Sequence, residues 1–91
     1  IVNNGTYGTI RMHQERHYPE RVSGTELINP DFVALAKAYG FYGERVENTA
    51  DFADAFARAV ASDTGAVLDL VISTEAITPR LTIDDLRSAG R

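Results

Sequence analysis

The sequence predicts an α/β fold: a narrow, partial parallel sheet flanked by helices. Three observations carry that expectation. Ala66-Val67-Leu68-Asp69-Leu70-Val71-Ile72 is nearly continuous in apolar residues, as suits a strand covered on both faces in a parallel sheet better than one half of an exposed hairpin. Strand and helix signals alternate along the chain in the manner of βαβ units with right-handed crossovers. A β-prone stub, Ile1-Val2, runs directly into the turn-forming cluster Asn3-Asn4-Gly5-Thr6-Tyr7-Gly8, which gives the strand, loop and helix order of such a unit.

Taken in order, Ile1-Val2 has neither cap nor polar lead-in, so the chain is expected to begin inside a strand, as a fragment does, with a bare sheet edge there. A helix follows over residues 9–17. Residues 18–29, with Pro19, Ser23 and Gly24, show no period and read as an ordered loop, long enough to be functional. Asn29 stands before Pro30 as a capping side chain ahead of a proline at the first helical position. Phe32, Leu35, Ala36 and Tyr39 then recur at helical spacing until Gly40 stops the helix. Residues 41–47 form a short strand, and Thr49 is expected to cap a helix with Phe52, Phe56 and Val60 as its apolar stripe. Tyr39, Tyr42, Phe52 and Phe56 fall on helical or strand periods and read as core aromatics. After the apolar strand, Thr82 with Asp85 resembles a capping box that opens a short C-terminal helix through Leu86.

Composition narrows the function classes. The chain has 91 residues, enough for one small domain, and its 44% apolar content supports a modest core. Nine basic against thirteen acidic residues give a net charge of −4, the wrong sign for neutralising a nucleic-acid backbone. There is no cysteine, so neither a disulfide framework nor a thiolate metal site can form. No apolar run approaches the roughly 20 residues that span a bilayer, and no signal peptide is visible, so a cytoplasmic protein without membrane partners is expected.

The chemistry is expected in the loop after Ile1-Val2, because ligand sites in parallel α/β sheets lie beyond the carboxyl ends of strands. Gly5 and Gly8 permit close backbone approach, and the following helix offers free N–H groups and the positive end of its dipole to a phosphate. Asn4 adds a neutral oxygen suited to a hard cation such as Mg²⁺. By itself the motif is weak, and Asn-Asn-Gly reads first as a good turn. His13 and His17, four apart, could share a helical face, but Gln14 stands where the metalloprotease pattern requires Glu, so solvated helix residues are the default reading. Asp51 and Asp54 belong to a first helical turn, where carboxylates favour the dipole. Asp69, inside the apolar strand, needs a partner if it is buried.

The run Asn3-Asn4-Gly5-Thr6-Tyr7-Gly8-Thr9-Ile10-Arg11-Met12-His13-Gln14-Glu15, with Tyr18-Pro19, Asn29-Pro30-Asp31-Phe32, Leu35-Ala36, Tyr39-Gly40 and Glu75-Ala76-Ile77-Thr78-Pro79, resembles the end of the diphosphate-binding domain of the acetolactate synthase and 2-oxoacid decarboxylase family. The resemblance covers almost the whole chain in order. It implies that residues 1–91 are the C-terminal portion of a thiamine-diphosphate-binding domain, within an enzyme that cleaves or forms the bond beside a 2-oxo group. Carried over residue by residue, Asn4 and the main-chain carbonyl of Thr6 would ligate Mg²⁺. Asn4, Gly5, Thr6, Tyr7 and Gly8 would face the cofactor diphosphate. In that family the motif opens with Gly-Asp-Gly upstream, and this opening, with its Asp ligand, is absent here, as is the glutamate that activates the cofactor. His13 stands where some acetolactate synthases carry tryptophan near the substrate. The resemblance further implies a 2-oxo acid substrate, the remaining domains of a parent enzyme and a homo-oligomer with active sites between subunits. No residue of this segment is expected to be catalytic, and the isolated segment is expected to be inactive. The alternative is a stand-alone α/β binding or interaction module in which the Asn loop is only a turn.

Overall fold

In the computed structural model, which describes residues 1–90, the elements in chain order are β1 (Val2–Asn3), α1 (Gly8–His17), α2 (Phe32–Ala38), β2 (Tyr42–Val46), a 3₁₀ turn (Thr49–Asp51), α3 (Phe52–Ala61), β3 (Ala66–Val71) and α4 (Ile83–Ala89). They fall into two units. One comprises Ile1–Asn3 and Asn29–Ile72, and the other comprises Asn4–Ile28 with the segment from Ser73 onward.

The first unit is the sheet and its helices. All its strand pairs are parallel, in the order β1-β3-β2, with Val2 opposite Leu70 and with Tyr42 to Val46 opposite Ala66 to Leu70. The apolar run therefore takes the centre, where both edges of its backbone are hydrogen-bonded. Its covering is less complete than expected: Leu68 and Leu70 are half-buried, whereas Val71 and Ile72 are exposed. Ala36 on α2, Val46 on β2 and Ala55 on α3 supply the buried apolar positions of this unit.

Three local expectations need correction. Asp31, rather than Asn29, caps α2, its Oδ1 accepting the Ala34 N–H at 3.0 Å. Pro30 therefore lies outside the helix, and Asn29 Nδ2 donates to Asn3 Oδ1 at 3.2 Å instead. Thr49 opens a 3₁₀ turn and not α3, which starts without a side-chain cap. Phe52, Phe56 and Val60 do form a stripe on α3, but they are 40%, 53% and 69% exposed, and Tyr39 is exposed as well. The small Ala55 faces inward instead. Three strands present too narrow a surface to cover a stripe of phenylalanines.

Tyr42 is half-buried for a polar reason. Its hydroxyl donates to Glu44 Oε2 at 2.7 Å, and Arg58 grips the same carboxylate through Nη2 at 2.6 Å and Nε at 3.1 Å, tying β2 to α3. The Arg58 guanidinium, aided by Tyr42, holds the Glu44 carboxyl below the usual range, and the Glu44 hydrogen bond pushes the Tyr42 phenol up.

The second unit packs α1 with α4, and Ile83 and Leu86 are its buried apolar side chains. The capping box at α4 forms as expected. Thr82 Oγ1 accepts the Asp85 N–H at 3.2 Å while Asp85 Oδ2 accepts the Thr82 N–H at 2.8 Å, and these bonds lower the Asp85 carboxyl from its ordinary value. No helix among the described residues is long and apolar enough to cross a membrane.

Candidate functional site

The loop over residues 4–8 belongs to the second unit and is shaped by a few specific contacts. Gly5 takes φ +67°, a left-handed conformation that favours glycine. The Asn4 carboxamide oxygen accepts the Thr6 N–H at 3.2 Å, closing an Asx turn. Thr6 pairs with Glu26 in an isolated antiparallel bridge, flanked by Tyr7 N–H to Thr25 O at 2.8 Å and Leu27 N–H to Gly5 O at 3.0 Å. These two bonds use Gly5 O and Tyr7 N, so the bridge leaves the Thr6 carbonyl unengaged. The Thr6 hydroxyl donates to Thr25 O at 2.6 Å, and the residue is buried. At Gly8 a β-carbon would stand 2.8 Å from Asn4 Nδ2 and 3.1 Å from Ile77 Cδ1, so only glycine lets the Asn4 amide lie over the start of the helix.

That helix start is open to an anion. Tyr7 at the N-cap makes no side-chain capping bond, and the first turn of α1 holds no acidic residue, so its N–H groups and dipole are uncompensated. Arg16 and His17 occupy the opposite, negative end.

Gly5 and Thr6 also line a cavity of about 820 Å³, together with Arg11, Glu15, Thr25 and Arg87. Glu15 is 1% exposed, and Arg87 from α4 holds it with two bonds, Nε to Oε2 at 2.9 Å and Nη2 to Oε1 at 3.1 Å. The Glu20 N–H adds a third bond at 3.1 Å, made possible by φ +63° at Glu20. The Arg87 hydrogen bonds, with those of Glu20 and the charge of Arg11, keep the Glu15 carboxyl below the usual glutamate range against the opposing effect of burial. Arg11 is less well matched: its Nη2 is 3.8 Å from Glu75 Oε1, and its buried Nε has no hydrogen-bond partner among the described residues. A donor is thus left over beside the loop.

The structure separates Asn3 and Asn4, which the sequence offered as a pair. Asn3 ends β1, and its Nδ2 donates to Oδ1 of the fully buried Asp69 at 3.0 Å. Arg45 Nε lies 3.4 Å from Asp69 Oδ2, near enough to pair in charge but outside hydrogen-bond geometry. The partner that burial of Asp69 demands is therefore Asn3, with Arg45 alongside. His13 and His17 do share a face of α1, their rings stacked at 6.4 Å. Among the described residues no three His, Cys, Asp or Glu side chains form a cluster able to hold a metal. The Glu15–Arg87 pair is the feature that sequence reasoning missed, and 72 positions of separation left no local signal for it.

Comparison with known proteins bears on this arrangement. The family model described as thiamine pyrophosphate enzyme, C-terminal TPP binding domain, matches residues 1–70. An acetolactate synthase of Mycobacterium bovis is 39% identical over 83 residues, 84% of this chain and 13% of that protein. The acetolactate synthase large subunit of Parasynechococcus marenigrum is 36% identical over 72 residues, 77% of this chain and 12% of its own. The mitochondrial acetolactate synthase catalytic subunit of Saccharomyces cerevisiae is 38% identical over 68 residues, 75% of this chain and 10% of its own. The chain thus spans about 13% of the length of the mycobacterial relatives it matches.

Proposed function

Because the chain belongs to the thiamine pyrophosphate enzyme family, as its C-terminal TPP-binding domain, we propose that it anchors the Mg²⁺-bound diphosphate of thiamine diphosphate within a longer enzyme acting on 2-oxo acids. The observation that carries the reading is the loop over residues 4–8 itself. Asn4 Oδ1 uses one lone pair on Thr6 N–H, which leaves another for a hard cation. The unengaged Thr6 carbonyl is the second ligand. Gly8 keeps the space that a β-carbon would take from Asn4, so the residues present fit the group. The Gly8 N–H and the uncapped start of α1 receive the diphosphate, while the Thr6 and Tyr7 N–H groups, engaged with Asn4 Oδ1 and Thr25 O, hold the shape of the loop around Gly5. When bound, the cofactor supplies the electron sink for bond cleavage or formation beside the 2-oxo carbon. The role of this segment is to fix its position, a contribution to orientation.

The parent enzyme, in this reading, is a cytoplasmic homo-oligomer of acetolactate synthase type, a transferase or lyase, in which the upstream part of the same domain supplies the carboxylate ligand and other domains contribute the substrate pocket. The isolated chain accordingly binds thiamine diphosphate weakly and is inactive. The alternative, a non-catalytic binding or interaction module, gains no specific support from the loop geometry.

Equilibrium dialysis of thiamine diphosphate with and without Mg²⁺, on the parent polypeptide, tests the reading. Asn4→Ala is expected to weaken Mg²⁺-dependent binding by on the order of 10- to 100-fold, with partial rescue at high Mg²⁺ and cofactor by mass action. Asn3→Ala removes the donor to buried Asp69, so it is expected to lower the melting temperature while the folded protein keeps its affinity. Equal losses of affinity in both variants would mean that the metal site is not at Asn4.

A further inference from the structure

We propose that α4 is a working part of the cofactor site: Arg87 and Glu15 are positioning residues that hold the 4–8 loop in its binding shape. The inference rests on the function proposed above and extends it to residues 83–89, which lie outside the segment matched by the family model.

The connection can be followed bond by bond within the second unit. Arg87 on α4 fixes Glu15 on α1 through two hydrogen bonds, and the pair is shielded, with the Glu15 side chain 2% and the Arg87 side chain 22% exposed. Its neighbour on α1, Gln14, donates to Ser23 O at 2.8 Å and accepts from Thr25 Oγ1 at 3.4 Å. Thr25 in turn accepts both the Thr6 hydroxyl and the Tyr7 N–H on its carbonyl. Glu15 meanwhile accepts the Glu20 N–H, which pins the start of the same 18–27 loop. Two consecutive residues of α1, Gln14 and Glu15, therefore organise the segment that clamps Thr6 and Tyr7, and Arg87 fixes the helix that carries them through Glu15. Glu15, Arg87, Gly5 and Thr6 share one cavity, so the pair and the loop are neighbours in space as well as in connectivity.

A buried carboxylate is a demanding choice for this position. It tolerates neither a lost partner nor a shifted one, because an uncompensated buried charge is strongly unfavourable. Arg matches it with a rigid fork that Lys does not reproduce. The pair consequently specifies a single arrangement of α1 against α4, where apolar packing of Ile83 and Leu86 would admit small slips.

The test uses the parent polypeptide with Arg87→Met, Arg87→Lys, Glu15→Gln and the exchanged double variant Glu15→Arg with Arg87→Glu, read by dialysis of Mg²⁺–thiamine diphosphate and by amide exchange. Arg87→Met is expected to weaken cofactor affinity by about tenfold and to speed exchange at the Tyr7 and Leu27 amides, with turnover recovering at saturating cofactor. Arg87→Lys should fall between it and the wild type, which keeps the test open if Arg87→Met does not fold. Partial recovery of affinity in the exchanged variant supports the pair directly. Unchanged affinity and unchanged Tyr7 and Leu27 exchange in folded Arg87→Met or Arg87→Lys protein, while melting temperature drops, would reduce the pair to a stabilising contact and overturn the proposal. If instead wild-type affinity is independent of Asn4, the cofactor-anchoring reading fails first, and the inference fails with it.

Discussion

The two units of this chain solve the problem of order by different means. The sheet unit is built from a regular parallel ladder, β1-β3-β2, in which backbone groups satisfy one another, and its one buried charge, Asp69, is met by the adjacent β1 through Asn3. Among its described residues the loop-bearing unit has isolated bridges at Thr6 and Glu26 and at Ala76 and Thr82 in place of a ladder. Its loops are held by side chains: Thr6 and Gln14 on backbone carbonyls, and Glu15 on Arg87 and the Glu20 amide. Ladders are robust to the loss of one side chain, because the backbone bonds remain. A unit held by side chains is not, since removal of one partner strands another. Single substitutions are therefore expected to loosen the loop-bearing unit more than the sheet unit.

The largest expected effect tests whether the two units are distinct in stability. Ile83 is fully buried, and Ile83→Ala should destabilise by about 3 kcal/mol. Amide exchange should accelerate in α1 and α4 well before it does in β2 and β3. Uniform acceleration across both would dissolve the comparison into a single cooperative unit.

A middle-sized effect, with a pH signature, is expected at the buried pair. Arg87→Met should cost about 2 kcal/mol at neutral pH, less than the roughly 3–5 kcal/mol of breaking a fully buried pair, because Arg87 is partly wetted. In the wild type the folded-state pKa of Glu15 lies below its unfolded value. The stability it confers is therefore fully present above the ordinary glutamate range and is lost as pH falls through the depressed value. In the variant, Glu15 is buried without its cation, and protonation relieves it. The gap in stability between the two proteins should be widest at neutral pH and close on acidification, as urea titrations at several pH values would record. A gap that stays constant with pH would assign the loss to packing of the Arg87 stem.

The smallest effect belongs to the sheet unit. Phe56 is 53% exposed on α3, and Phe56→Gln should change the stability of this chain by less than about 0.5 kcal/mol. A loss above roughly 1 kcal/mol in thermal melts would mean that the phenylalanine stripe is part of a core after all, and the sheet unit would then depend on side chains as the other does.

Periodicity and short-range chemistry were enough to determine the α/β class, the parallel strand in the 66–72 run, the helix stop at Gly40, the capping box at Thr82 and Asp85, and the turn at residues 3–8. Each depends on residues near one another in the chain, where side-chain spacing and backbone preference act directly. Even so, spacing could not tell which of several polar residues would cap. Asn29, Asp31 and Thr49 are all competent, and the path of the chain into each helix chose among them. Nor could it tell whether an apolar stripe would be covered: Phe52, Phe56 and Val60 are regular on α3, but the extent of the sheet leaves them open. Tertiary structure alone paired Asp69 with Asn3 across 66 residues and Glu15 with Arg87 across 72, because a buried charge selects its partner by distance in space, and sequence separation sets no limit on that distance.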